Sequence, residues 1–494
     1  MGEEHMRNRM ISFISWIVLL LMVFCTASCK GNDQRLPSGS DFSDGTAGGT
    51  VGEIELPARD LKDMKFRILD ANDHPEMHIN YALESGNDAV VSALYFRDQF
   101  VMDTYHVVLD YTQINNCNKD GIAQFTNSAS AGDRYYDMVV STASGTRLST
   151  LSAQGYFADL SEFSSISLDR EWWSAQMYEQ LNLGGKMYFT TGDIMASVYN
   201  APMAVFANKS LLANKQINVD LYQTVKDGDW TVEYLTEITQ DMNEDLNQDG
   251  VYHANDDFFG VACQPLKMTS SGLLIGMGYD LSYNLNNTIV ANTGNMEILG
   301  NLCEQIQRLT VPIQRDKNAD IIDKTFKSDR AVFLIHLIEA ATNNLRDMAS
   351  DYMVLPMPKG SSDQTQYRSM INGWVDCFIA IPRYTEADVT EYRDRAGYVV
   401  EAMARASYVI VRPIAFENVV MYQSVREPAS LEMLNIIFNT LYLDFNCIYD
   451  FGKMCTIISD SIFNYSDLNS AISGALGEIT SEAGKVSNTW LQLQ

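Results

Sequence analysis

The sequence predicts an α/β protein built from more than one unit, and three observations carry that prediction. Strand-like and helix-like segments alternate from Lys65 to Val140, the order that gives a parallel or mixed sheet with helices on its faces. The roughly 440 residues after Glu53 are too many for one core and suit two large or three ordinary domains. Val198 to Asn208 is apolar and extended, as expected of a strand that leaves one unit for a neighbour.

The elements follow in order. Lys65 to Leu69 alternates, with Phe66 and Ile68 on one face, and stops at Asp70 as a first strand would. Val91, Leu94, Tyr95 and Met102 then keep helical spacing. Tyr105 to Tyr111 is rich in β-branched and aromatic residues, and Tyr136 to Val140 reads as a short buried strand. Trp172 and Trp173 begin a helix after Asp169, and Gly184-Gly185 turns the chain into a strand at Lys186 to Thr190. Asp227 to Trp230 forms a turn, Thr231 caps the next helix, and Leu235, Ile238 and Met242 line its apolar face. Ala331 to Ala341 is apolar throughout, a buried strand or helix, followed by Tyr352 to Met357 and a polar loop at Lys359 to Gln366. In Ile371 to Pro382, Trp374 follows Gly373 in a turn that precedes an apolar strand. Beyond Tyr384 the pattern is helical, with core stripes at Leu431, Leu434, Phe438 and Leu441 and at Leu468, Ile472, Leu476 and Ile479.

Ahead of this body stands an export signal. Arg7 and Arg9 precede an uncharged segment from Ile11 to Cys25, which is short for a membrane span, and Thr26-Ala27-Ser28-Cys29 ends it with small residues. That ending resembles the bacterial lipobox, in which Cys29 is acylated and becomes the first mature residue. Residues 1–29 are thus expected to be a lipoprotein signal peptide and residues 30–53 a flexible tether, with the folded body held outside the cytoplasmic membrane by lipid.

Composition narrows the partners. Acidic residues outnumber basic ones 63 to 35, a net charge of -28, which gives no footprint for nucleic acid and suits neutral or cationic ligands and divalent ions. A strongly anionic solute fits only if arginines line its site. Cys117, Cys263, Cys303, Cys377, Cys447 and Cys455 form no CxxC, so zinc is disfavoured and buried free thiols are expected.

One loop has metal-ligand spacing. In DLNQDGVYHANDD, Asp245, Asn247, Asp249, Gly250 and Asp256 fall at positions 1, 3, 5, 6 and 12 of an EF-hand-like loop, with the Val251 carbonyl at 7 and His253 at 9. Asp256 stands where the usual loop has a bidentate Glu, which lowers the expected affinity. A structural calcium ion is the expectation.

The lipobox, LYFRDQFVMDTYHVVLD, ADLSEF with REWW, GKMYFTTGD, DLYQTVKDGDWT, DLNQDGVYHANDDFFG and LEMLNIIFN together resemble the extracellular solute-binding lipoproteins of bacterial ABC transporters, family 1 type. The resemblance runs along nearly the whole mature chain and rests on the order of these segments. It implies a type II periplasmic-binding-protein-like fold, two discontinuous α/β lobes around a ligand cleft, in a monomer that delivers a sugar or oligosaccharide to a permease. One lobe is expected at 54–200 plus 326–384, the other at 201–325 plus 385–494.

A sugar needs aromatic faces for its C–H surfaces and carboxylates or amides for its hydroxyls. Trp374, at the turn between lobes, is the first candidate for stacking. Asp193 and Tyr199, beside the crossover, are candidate polar and aromatic contacts, and Trp173 is a weaker one. No GxSxG, HExxH or phosphate loop occurs, and the histidines form no catalytic set. The alternatives are a receptor that reports to a membrane sensor and a glycan-acting lipoprotein.

Overall fold

The computed structural model describes residues 56, 58–72, 79–115, 117–133, 135–144, 147–173, 175–310, 319–384, 389–422 and 428–493. The signal segment, Cys29 and the tether lie outside the described residues.

Two four-stranded mixed sheets form the frame. The first has β1 (Met64–Ala71), β2 (Val107–Ile114), β3 (Met138–Thr142) and β11 (Cys377–Ala380), in the order β11-β3-β1-β2. β1 runs parallel to both β2 and β3, and β11 lies antiparallel on β3. Phe66 and Ile68 are fully buried, as their alternation requires. Between β1 and β2 runs helix α1 (Ala89–Tyr105). It starts where the Asp88 carboxylate accepts the Val90 and Val91 amides at 2.8 and 3.1 Å. Buried Arg97 fastens α1 to the chain ahead of the crossover. It pairs with Asp98 at 2.8 Å and donates to the Ile194 and Asn80 carbonyls at 3.0 and 2.9 Å.

The second sheet has β4 (Met203–Asn208), β5 (Phe259–Cys263), β8 (Ala331–Leu337) and β9 (Tyr352–Leu355), ordered β5-β8-β4-β9, while β6 (Ser282–Leu285) and β7 (Thr288–Ala291) form a hairpin and β10 (Ser369–Met370) pairs with β12 (Leu441–Tyr442). β5 and β8 are parallel, and β4 runs antiparallel to β8 and β9. Every residue of β4 is buried, so an unbroken apolar run replaces alternation. Helix α2 (Val232–Thr239) begins at Thr231, whose hydroxyl accepts the Tyr234 amide at 3.1 Å.

Four readings of the sequence change. Strands β8 and β9, assigned to the first lobe within 326–384, pair with β4 in the second sheet. The chain returns to the first sheet only at β11, after a bridge from Pro202 to Ile371. Helix α3 (Lys267–Gly276) follows β5, and helix α4 (Val389–Tyr422) packs against α1 of the first sheet, where the sequence reading puts 385–494 in the second lobe. The physical reason is that apolar periodicity reports burial, whereas sheet membership depends on partners more than a hundred residues away. Lys186 to Thr190 is held by isolated bridges at Lys186 and Thr190 and forms no strand. Leu476 is 44% exposed, unlike Leu468, Ile472 and Ile479 on the same helix. Cys263, Cys303, Cys377, Cys447 and Cys455 are buried free thiols. No described helix is long and apolar enough to cross a membrane.

Candidate functional site

Parallel strands end their ladders on one side of a sheet, and the loops that leave that side are free to bind. Here β5 and β8 end at Cys263 and Leu337, and the antiparallel β4 begins at the same edge, with Met203 paired to Leu337. The chain after β5, Gln264 to Thr269, leads into helix α3 (Lys267–Gly276). The chain after β8 carries Glu339 and Asn344. With the Asn372 to Val375 turn and helix α5 (Met454–Asn464), these segments enclose a cavity of about 840 Å³. Trp374, His336, Asn344, Asn372, Lys267 and Asp460 are among its lining side chains.

The turn that presents Trp374 is fixed from both sides. Asn372 donates its amide to the Ala201 carbonyl at 3.1 Å, and its side-chain oxygen accepts the Trp374 amide at 2.9 Å. The Gly373 carbonyl accepts the Ala143 and Ser144 amides at 3.1 Å each. A Cβ at Gly373 would come within 2.9 Å of the Ser144 hydroxyl, so the close approach requires glycine. Trp374 is half-buried, and its indole Nε1 is a buried donor with no partner.

Two cations attend the indole. The Lys267 ammonium lies 5.1 Å and the Arg147 guanidinium carbon 5.3 Å from the ring centroid. Arg147 follows β3 in the first sheet, is 5% exposed, and donates to the Thr142 hydroxyl. Lys267 belongs to the second sheet's side and pairs with Asp450 at 3.0 Å. Elsewhere in the lining His336 Nε2 stands 3.6 Å from Asp323, whose other oxygen accepts the Asn344 amide.

The remaining sequence candidates sit elsewhere. Asp193 is buried, accepts the Tyr199 hydroxyl at 2.6 Å and faces Arg412 at 3.4 Å. Burial raises its pKa, and Arg412 partly offsets this. Tyr199 packs edge-on against Phe416 at 5.8 Å, and burial raises its pKa strongly. Trp173 is 1% exposed and donates its indole N–H to Glu401 at 2.7 Å, while Trp172 donates to the other carboxylate oxygen at 3.1 Å. These groups serve the packing between α4 and the first sheet's loops, and none of them lines the cavity. Trp230 is also internal, donating to the Pro356 carbonyl at 2.9 Å. Lys267, His336, Glu339 and Asn344 were not singled out from the sequence. The signal that could have found all but His336, which lies within β8, is the run of polar residues that follows each apolar strand of a parallel pair.

The acidic loop folds on its own amides. Asp245 accepts the Gln248 and Gly250 amides at 2.7 and 2.8 Å, Asn247 accepts Asp249 at 3.0 Å, and Asp249 accepts Val251 at 2.8 Å. Gly250 takes the expected turn, with φ +81°. Closure departs from expectation. Asp256 is exposed, whereas buried Asp257, one position later, accepts the Leu246 and His253 amides at 2.9 and 2.7 Å. Among the described residues no three His, Cys, Asp or Glu side chains are gathered as a metal set, so the loop offers no preassembled cage.

No protein-family model matches the chain, and no curated protein matches it in sequence. Solved structures do match in fold. A cyclo/maltodextrin-binding protein complexed with maltotetraose superposes with a TM-score of 0.56 at 14% identity, covering 85% of this chain and 97% of that one. An ABC substrate-binding protein from Listeria monocytogenes in complex with cycloalternan gives 0.54 at 13% identity, covering 85% and 99%. The galacto-N-biose/lacto-N-biose I-binding protein of a Bifidobacterium longum ABC transporter gives 0.53 at 10%, covering 86% and 98%. The chain therefore has the periplasmic-binding-protein-like α/β fold that these three binding proteins share.

Proposed function

We propose that this protein is an extracellular solute receptor that captures a sugar or oligosaccharide in the Trp374 cavity and delivers it to an ABC transporter permease. The observation that carries the reading is the cavity itself. About 840 Å³ lies at the carboxyl ends of β5 and β8 and is bounded by a turn that leads into β11 of the other sheet. A solute there touches elements of both sheets, and such shared contacts are what stabilise hinge closure. The three neighbours described above bind maltotetraose, cycloalternan and lacto-N-biose, which supports a carbohydrate.

A thermal-shift screen of the body from Gly31 to Gln494 tests this, using mono- and oligosaccharides, polyols, amino acids and peptides. Binding to the folded state adds about 2.7 kcal/mol at a hundredfold excess over Kd. A saccharide-specific rise in Tm is expected; a rise with peptides alone refutes the carbohydrate reading.

The anchor and the metal belong to the same proposal. Cys29 carries the lipid that holds the receptor at the outer face of the membrane, so Cys29→Ser releases it to the medium. The 245–256 loop takes calcium weakly, because an ion must draw exposed Asp256 inward and finds no bidentate Glu.

A further inference from the structure

We infer that the solute is an acidic sugar, one bearing a carboxylate, and that Lys267 beside Trp374 recognises that group, with buried Arg147 near the ring adding positive potential. The inference rests on the sugar-receptor reading and names its substrate class.

The groups around the indole are donors. Lys267 and Arg147 bring two positive charges to within 5.1 and 5.3 Å of the ring centroid, and the indole N–H is buried without an acceptor. A neutral sugar that stacks on this ring disturbs Lys267 and offers it no charge in return. A uronate carboxylate brings both the pyranose face for the indole and an anion for the cations.

Lys267 is built to change partners. Its side chain is 31% exposed, and its partner Asp450 does not depend on it. The Asp450 carboxylate also accepts the Thr456 hydroxyl and the Cys455 amide, each at 2.8 Å. When Lys267 turns to a ligand, Asp450 keeps a hydrogen bond on each oxygen, so no buried charge is left bare. The exchange is like for like, one carboxylate for another, which favours a uronate over a doubly charged phosphate. Arg147, buried and tied to Thr142, does not line the cavity and adds a fixed positive charge beside the ring. The carboxylates that line the cavity, Glu339 and Asp460, accept the Asn343 and Asn464 side-chain amides at 3.1 and 2.8 Å, and Lys267 pairs with Asp450 rather than with either of them.

The test is calorimetric titration of the soluble body with uronate disaccharides of the galacturonate, glucuronate and mannuronate types, each beside its neutral counterpart. A uronate is expected to bind about tenfold or more tightly than its neutral match, a difference of one decade in Kd. Lys267→Gln should erase most of that preference, with only the small fall in melting temperature that loss of the Asp450 pair and the ring contact brings, and Lys267→Arg should retain the preference. Equal or tighter binding of the neutral partner overturns the acidic-sugar inference and leaves the receptor intact. A preference that survives Lys267→Gln overturns the role of the lysine. No binding by any saccharide, acidic or neutral, removes the receptor reading and the inference together.

Discussion

Trp374→Ala is the substitution whose consequences the geometry specifies most closely. The backbone that holds the turn uses the Asn372 side chain and the Gly373 carbonyl, so it survives loss of the indole. No hydrogen bond is broken, because Nε1 makes none. What the fold loses is part of the ring's burial and two cation contacts of about 0.5 to 1 kcal/mol each. A fully buried Trp to Ala change costs about 3 to 5 kcal/mol, and a half-buried one roughly half that. Binding loses more in proportion if the ring is the stacking anchor, about 1 to 3 kcal/mol, which is roughly 5-fold to 150-fold in Kd. Calorimetry with the saccharide that gives the largest thermal shift, paired with a denaturation curve, separates the two effects. Trp374→Phe keeps a stacking face and should recover most of the affinity. An unchanged Kd together with a fold weakened by several kcal/mol would show that Trp374 is core and that the cavity has been misread.

Other perturbations test neighbouring parts of the argument. Burial raises the Asp376 carboxyl to about 7, while its Oδ1 accepts the Ser197 hydroxyl at 2.8 Å beside the return to β11. A native pKa above the unfolded value of 3.8 means that the native state holds a proton the unfolded chain has lost. Stability from this group is complete below pH 3.8 and falls by about 1.4 kcal/mol per pH unit until pH approaches 7. The Tm of Asp376→Asn relative to wild type should therefore climb from pH 4 to pH 7, and a constant difference would contradict the assignment. Glu401→Ala strands the indole N–H groups of Trp172 and Trp173, so urea denaturation should show a loss of at least about 2 kcal/mol while saccharide affinity holds. A change in affinity there would restore Trp173 to the site. Calcium at millimolar concentration should raise the Tm modestly and a chelator reverse it; identical curves would dismiss the ion from the 245–256 loop.

Local signals were legible and distant ones were not. Thr231 as a cap, Gly250 as a turn, Phe66 and Ile68 as a strand face, and Trp374 as the residue of a tight turn are all decided by a few neighbouring residues. The sheet that receives β8 is decided by pairing Val205 to Ile335, which no window of sequence contains. The same limit explains Asp193 and Tyr199. Their position beside the crossover was readable, but Arg412, Phe416 and Phe438, which enclose them, come from helices more than two hundred residues later. A polar residue near a hinge has the same appearance in sequence whether it faces a cleft or a buried arginine.

The net charge of -28 argues against an anionic solute only while charge is treated as a property of the whole surface. At physiological salt the screening length is about 8 Å, so exposed acids farther than that contribute little inside the cavity. Lys267 and Arg147 lie within that length of the Trp374 ring and are partly or wholly removed from water, where their field is screened least. The acidic exterior then sets solubility and long-range approach, while two cations and one orphan indole N–H set what can stay. Approach and retention thus pull in opposite directions, and salt tells them apart. For a uronate, added salt should speed association by screening the exterior. Dissociation, governed by the half-sheltered Lys267, should change less.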